Sequence, residues 1–219
     1  MWKRKNCSYI AVMCVTAAVA AGCSEGASPM RPTTVSPELT SGIHVHENVG
    51  AINAAAEIPG PELAAVRRAT AAFHDAADAT AAGYVVGPHC DSSPAGVMGF
   101  HAGNQALIGN QTLDPEKPEV LLYLEKPEGG LRLIGVEYVQ VVLLRNPDTG
   151  QVGPWMSSSP WPANYQVVTP TPQLFGQTFQ GPMAGHVPGM PWHWDLHVWV
   201  WAHNPSGMFA QWNPSLSCN

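Results

Sequence analysis

Twelve residues near the C-terminus, Trp192 to His203 (W-H-W-D-L-H-V-W-V-W-A-H), restrict the folds open to this chain more than any other stretch. Read as a strand, they separate by parity. One face carries Trp194, Leu196, Val198, Val200 and Ala202. The other carries His193, Asp195, His197, Trp199, Trp201 and His203, without a Lys, Arg, Glu, Ser or Thr. A solvated face does not spend two Trp and three His. Both faces are therefore expected to be covered, and the polar groups of the second face need partners. Asn204-Pro205-Ser206-Gly207 ends the strand as a turn.

The first 22 residues predict export. Lys3, Arg4 and Lys5 precede an apolar run, Ile10 to Ala21, that is too short to span a bilayer as a helix. The run ends in Val19-Ala20-Ala21-Gly22-Cys23, which resembles the lipobox of bacterial lipoproteins, with Ala20 where Leu is commoner. The resemblance implies cleavage before Cys23, lipid on that residue, and a chain anchored in the bacterial cell envelope, facing the periplasm or the exterior. Removing the three basic residues takes the formal net charge from −6 to −9. That excess of acid argues against nucleic acid as a partner and leaves the membrane, through the lipid, and a small molecule. Cys7 and Cys14 leave with the signal peptide and Cys23 is lipidated, so Cys90 and Cys218 remain. In an oxidising compartment two thiols read as one disulfide.

Residues 23–60 are rich in Ser, Thr, Pro, Gly and Ala and read as a flexible tether. His44-Val45-His46-Glu47 lies within it and is read as linker, because nothing nearby would hold the two histidines rigid. Residues 61–219 read as one loop-rich α+β domain: an N-terminal helix packed on a curved antiparallel sheet or small barrel. Pro61 to Ala82 is the predicted helix, with an apolar stripe through Leu63, Val66, Phe73 and Ala77 and Gly83 at its end. Tyr84 to Val86 is a short strand, and Gly87 to Pro94 a loop. Gly96 to Gly103 is a strand with Gly99 and His101 on one face. Val120 to Leu124 and Leu131 to Leu144 form a hairpin about Lys126-Pro127-Glu128-Gly129-Gly130. On its second strand Leu131, Leu133, Gly135, Glu137, Val139 and Val141 share a face, and Glu137 is the one charge there.

His101, Glu137 and the pair His193/His197 each place a ligand-type side chain among apolar neighbours. Two histidines and a carboxylate from different strands make up an open mononuclear site for a divalent transition metal such as Fe, Cu, Zn or Mn. His193 and His197 lie roughly 13 Å apart on an extended strand. His197 is therefore the expected ligand, with His193 an alternate and Asp195 supporting from behind. Trp199 and Trp201 would wall the site. His89 and His186 are expected to take no part. The competing reading is a binding module without catalysis: a pocket walled by Trp155, Trp161, Trp199 and Trp201, with the His and Glu groups as a structural network. Nucleotide-binding glycine patterns, H-E-x-x-H and C-x-x-C are absent, and the one G-x-S-x-G, Gly22 to Gly26, straddles the expected cleavage point.

The fragments M-G-F-H (98–101), P-E-V-L-L-Y (118–123), L-I-G-V-E-Y (133–138) and the stretch from His197 to Cys218 resemble a group of uncharacterised bacterial exported proteins. That resemblance implies no activity. The spacing of the histidines and glutamate differs from the cupin pattern.

Overall fold

The computed structural model describes residues 60–218. The signal peptide, Cys23, His44, His46 and all but the last residue of the tether lie outside them. The described residues are mostly β. They open with helix α1 (Gly60–Thr70), a 3-10 turn (Ala71–His74) and helix α2 (Ala76–Ala81). Then come strands β1 (Val85–Ser93) and β2 (Gly96–Gly103), helix α3 (Gln105–Asn110), and strands β3 (Val120–Glu125) and β4 (Leu131–Val141). Short strands follow: β5 (Leu143–Arg145), β6 (Val152–Pro154), β7 (Gln166–Val167), β8 (Gln173–Leu174), β9 (Gln177–Thr178) and β10 (Gln180–Met183). The last is β11 (His193–Val198).

Six strands form one antiparallel sheet in the order β1-β2-β3-β4-β11-β10. It curls into a half-barrel, with β1 and β10 as its edges. Of the two expected forms, curved antiparallel sheet and small barrel, the curved sheet is the one present, and it does not close. The expected single helix over 61–82 is also broken. Asp75 adopts an extended backbone and its carboxylate accepts from the Ala77 N–H at 2.8 Å, so it restarts the helix as an N-cap.

One face of the sheet carries the larger core. Leu121, Tyr123, Leu133, Tyr138, Leu196 and Val198 pack there with Leu63, Val66 and Ala79 of the helical segment. The Tyr123 hydroxyl donates to the Phe73 carbonyl at 2.6 Å, and Arg67 Nε donates to the Val200 carbonyl at 2.8 Å, which ties that segment down.

The other face is lined by Val97, Val120, Leu122, Leu124, Ile134 and Val139 and covered by the C-terminal segment through Trp199, Met208 and Leu216. Val97 and Asn213 exchange backbone hydrogen bonds of 3.0 and 3.1 Å. The expected disulfide joins Cys90 of β1 to Cys218 and holds the segment's end. Closing a loop of 128 residues contributes about 5 kcal/mol in the chain-entropy view.

Four expectations are corrected here. Gly87 to Ser93 is strand, not loop, because it pairs with β2 around register shifts between Val86 and Cys90 and between Asp91 and Ser92. The face expected to unite Leu131 and Leu133 with Glu137 is split. Leu122 pairs with Gly135 but Tyr123 pairs with Leu133, so Ile134 is an extra residue that turns Leu133 to the opposite core. The final strand stops at Val198, not His203. Trp201 then falls on the helical side: its Nε1 donates to Thr70 Oγ1 at 3.0 Å and its ring meets that of His74 at 4.3 Å.

Candidate metal centre

Backbone register assembles the site. β4 and β11 pair so that His197 lies opposite Glu137, Asp195 opposite Val139 and His193 opposite Val141. On the other flank of β4, Glu137 lies opposite Val120, and His101 of β2 lies opposite Leu122. Side chains at alternate positions share a face, so His101, Glu137, Asp195, His193 and His197 all stand on the face under the C-terminal segment.

One ligand atom from each of His101, Glu137 and His197 lies within 4.8 Å of the other two. His101 Nε2 and Glu137 Oε2 are 3.4 Å apart. Ligand atoms ~2.1 Å from a tetrahedral ion lie about 3.4 Å from one another. The His101–Glu137 edge already has that spacing, and the His197 ring needs a small movement to reach it.

Burial makes the group costly as it stands. Glu137 is 2 % exposed, His197 1 %, and His193 and Asp195 0 %. Glu137 Oε2, both oxygens of Asp195, both ring nitrogens of His197 and His193 Nε2 make no hydrogen bond among the described residues. An unsatisfied buried polar atom costs ~1–3 kcal/mol. Six of them would cost on the order of 10 kcal/mol, comparable with the whole stability of an ordinary domain. A polar or charged ligand at this point would remove that cost.

The electrostatics divide the group. Burial pushes the Glu137 carboxyl upward, an effect that the nearby His101 opposes. Burial likewise raises Asp195, with the Glu137 charge adding to it. Burial and the neighbouring histidines hold His197 well below the ordinary histidine value, so it presents neutral nitrogens. His193 is depressed to about 4, chiefly by burial. His101 differs: burial would lower it, but Asp91 and Glu137 outweigh burial and hold it above the usual value. Neutral imidazoles and a carboxylate are the forms that bind a cation, so His197 and His193 are already in the required form, whereas a cation would have to displace the protons favoured on Glu137, Asp195 and His101.

Sequence reasoning missed Asp91. Its Oδ2 lies 3.0 Å from His101 Nδ1. The approach is close but poorly aligned for a hydrogen bond. It favours a proton on Nδ1 and leaves Nε2 toward Glu137, the carboxylate–histidine arrangement that commonly supports a metal ligand. The one hint in the sequence was its place next to Cys90, which the disulfide anchors. His186, expected to be idle, sets its ring 5.1 Å from that of His193. His89 stays exposed on β1.

The expected aromatic wall is half present. Trp199 stacks near His197, with ring centroids 6.5 Å apart, and its Nε1 donates to the Ala210 carbonyl at 2.6 Å. Trp155, Trp161 and Trp201 pack with the opposite core, so the four tryptophans do not converge on one pocket.

No family model, no curated protein and no solved structure matches this chain.

Proposed function

We propose that the protein binds a divalent transition metal through His101 Nε2, the Glu137 carboxylate and His197, as an exported protein tethered to the cell envelope by lipid on Cys23. The observation that carries this reading is the convergence of three ligand side chains from three strands, with buried polar atoms that find no partner. Imidazole nitrogen and carboxylate oxygen, without thiolate, suit Fe(II), Zn(II), Mn(II) or Cu(II). Export is supported by the leader in the sequence, and the Cys90–Cys218 bridge fits an oxidising compartment.

His101 and Asp91 stand at the solvent edge, with side chains 23 % and 52 % exposed. Three protein ligands leave coordination positions for a small molecule arriving from that edge, which is the requirement for metal-assisted catalysis. The site therefore suits a metalloenzyme acting on a small molecule. Trp199 and the C-terminal segment shield the opposite side from water.

Elemental analysis of the full chain, produced with its leader and extracted in detergent, tests the reading. The expected result is near-stoichiometric metal in the parent and its loss in Glu137→Gln. Metal-free parent protein, even after incubation with Fe(II), Zn(II), Mn(II) and Cu(II), would leave the group as a His–Glu network centred on a protonated His101.

A further inference from the structure

The helical side of the sheet has an opening of its own. A cavity of about 550 Å³ is lined by Gln111 at the end of α3, Gln140 of β4, Leu143 of β5 and residues 168–173. Gln140 lies opposite Trp194 of the larger core, while its neighbour Val139 belongs to the core on the other face. Alternate residues of a strand point to opposite faces, so the cavity and the metal group lie on opposite sides of the sheet. The wall is apolar at Leu113, Leu143, Val168, Pro170 and Pro172, and no lining residue is charged. A charged ligand would give up its hydration there without a counter-charge, so the cavity suits an uncharged one.

Two glutamines fix its polar end. Gln111 caps α3 with a φ of +60°, a left-handed backbone that residues other than Gly and Asn seldom adopt. Its amide is held at both ends. Nε2 donates to the Ile108 carbonyl at 3.1 Å, and Oε1 accepts from Gln140 Nε2 at 2.6 Å. A carbonyl only accepts, so Ile108 decides which end of Gln111 is the nitrogen, and Gln111 then decides the same for Gln140. Gln140 is 7 % exposed, and its Oε1 has no hydrogen-bond partner among the described residues. A buried acceptor on a cavity wall calls for a donor.

We infer that this cavity binds an uncharged small molecule, with an N–H or O–H group on Gln140 Oε1 and an apolar body against Leu113, Leu143 and Val168. Its volume lies in the range of small-molecule sites. The site is separate from the metal group and does not depend on it.

An NMR titration of the isotope-labelled full chain in detergent, with EDTA present, tests this independently of any metal. The probe is N-acetyl-leucine amide. Saturable shifts below ~10 mM are expected in the side-chain amides of Gln111 and Gln140 and the backbone amides of Thr169 and Thr171. N-acetyl-leucine, the same body with a carboxylate, should bind at least ~10-fold more weakly. Cyclohexanol tells whether a hydroxyl serves as well as an amide. Gln140→Met keeps the length of the side chain, removes the acceptor and should weaken the amide probe ~3–10-fold. Val168→Trp fills the cavity from its exposed rim, leaves the buried amides in place and should remove binding. No saturable shift with either the amide or the alcohol would overturn the inference. So would binding that the carboxylate matches, or that Val168→Trp and Gln140→Met leave unchanged.

Discussion

His101 Nε2 and Glu137 Oε2 face each other at 3.4 Å on a buried surface, and the account turns on what lies between them. Without a cation, Glu137 is a buried carboxyl that burial drives toward its neutral form. Glu137→Gln should therefore leave the metal-stripped protein as stable as the parent or ~1–3 kcal/mol more so, by replacing a buried carboxyl whose ionisation burial opposes with an uncharged amide. With metal present the difference should shift by ~2.7 kcal/mol in the parent's favour at a hundredfold excess over Kd, because only the parent gains binding energy. Urea melts with and without EDTA read that shift. Asp91→Asn keeps the shape but removes the charge beside His101 Nδ1, and should weaken metal binding ~10–100-fold in a competition titration. Glu119 supplies a test outside the three-ligand set, although the Glu137 charge also acts on it. Its buried carboxyl accepts from the Val139 N–H at 3.2 Å, and burial pushes it up to about 8. A raised carboxyl favours folding fully below its unfolded value of about 4.5. That contribution is lost as the pH rises from there through about 8. Between pH 5 and 8.5 the parent should lose a few kcal/mol more stability than Glu119→Gln, measured by urea melts at each pH.

The strands that carry the ligands were legible in the sequence, because alternation is a local property. Gly96 to Gly103 and the hairpin about Lys126 to Gly130 form as expected, and so does the polar face of His193, Asp195 and His197. What was not legible depends on pairing. The extra residue at Ile134 arises from the register between β3 and β4, and no local pattern marks it. The parity that placed Trp201 beside His197 fails because the chain leaves the sheet at Val198 to cover it, and Trp199 N–H donates to the Met208 carbonyl instead of a strand neighbour. Asp91 escaped notice because Gly87 to Ser93 contains Pro88 and two register shifts, so it has no clean period of two. Gly99 shows the cost of disturbing this arrangement. Its φ is +95°, and an added Cβ would collide with the Tyr123 carbonyl. Gly99→Ala should destabilise the protein by several kcal/mol in urea melts and, by shifting β2 against β3, weaken metal binding as well.

At the scale of the whole molecule, a curled sheet holds two cores on opposite faces, and the ligand group belongs to the face closed by the C-terminal segment. The Cys90–Cys218 bridge fastens that segment next to Asp91. Reduction, or Cys90→Ala with Cys218→Ala, should cost about 3–5 kcal/mol. It should also loosen the cover over His197, seen as faster amide exchange across residues 199–218. The proposed leader and lipid on Cys23 would, if present, place this disulfide-tied site outside the cytoplasm. The most direct test of the central claim is a crystal structure of the metal-loaded protein with anomalous data collected at the metal edge. The account predicts an anomalous peak about 2.0–2.3 Å from His101 Nε2, a Glu137 oxygen and a nitrogen of His197. A map with no peak there, and with His101 still paired directly to Glu137, would contradict it.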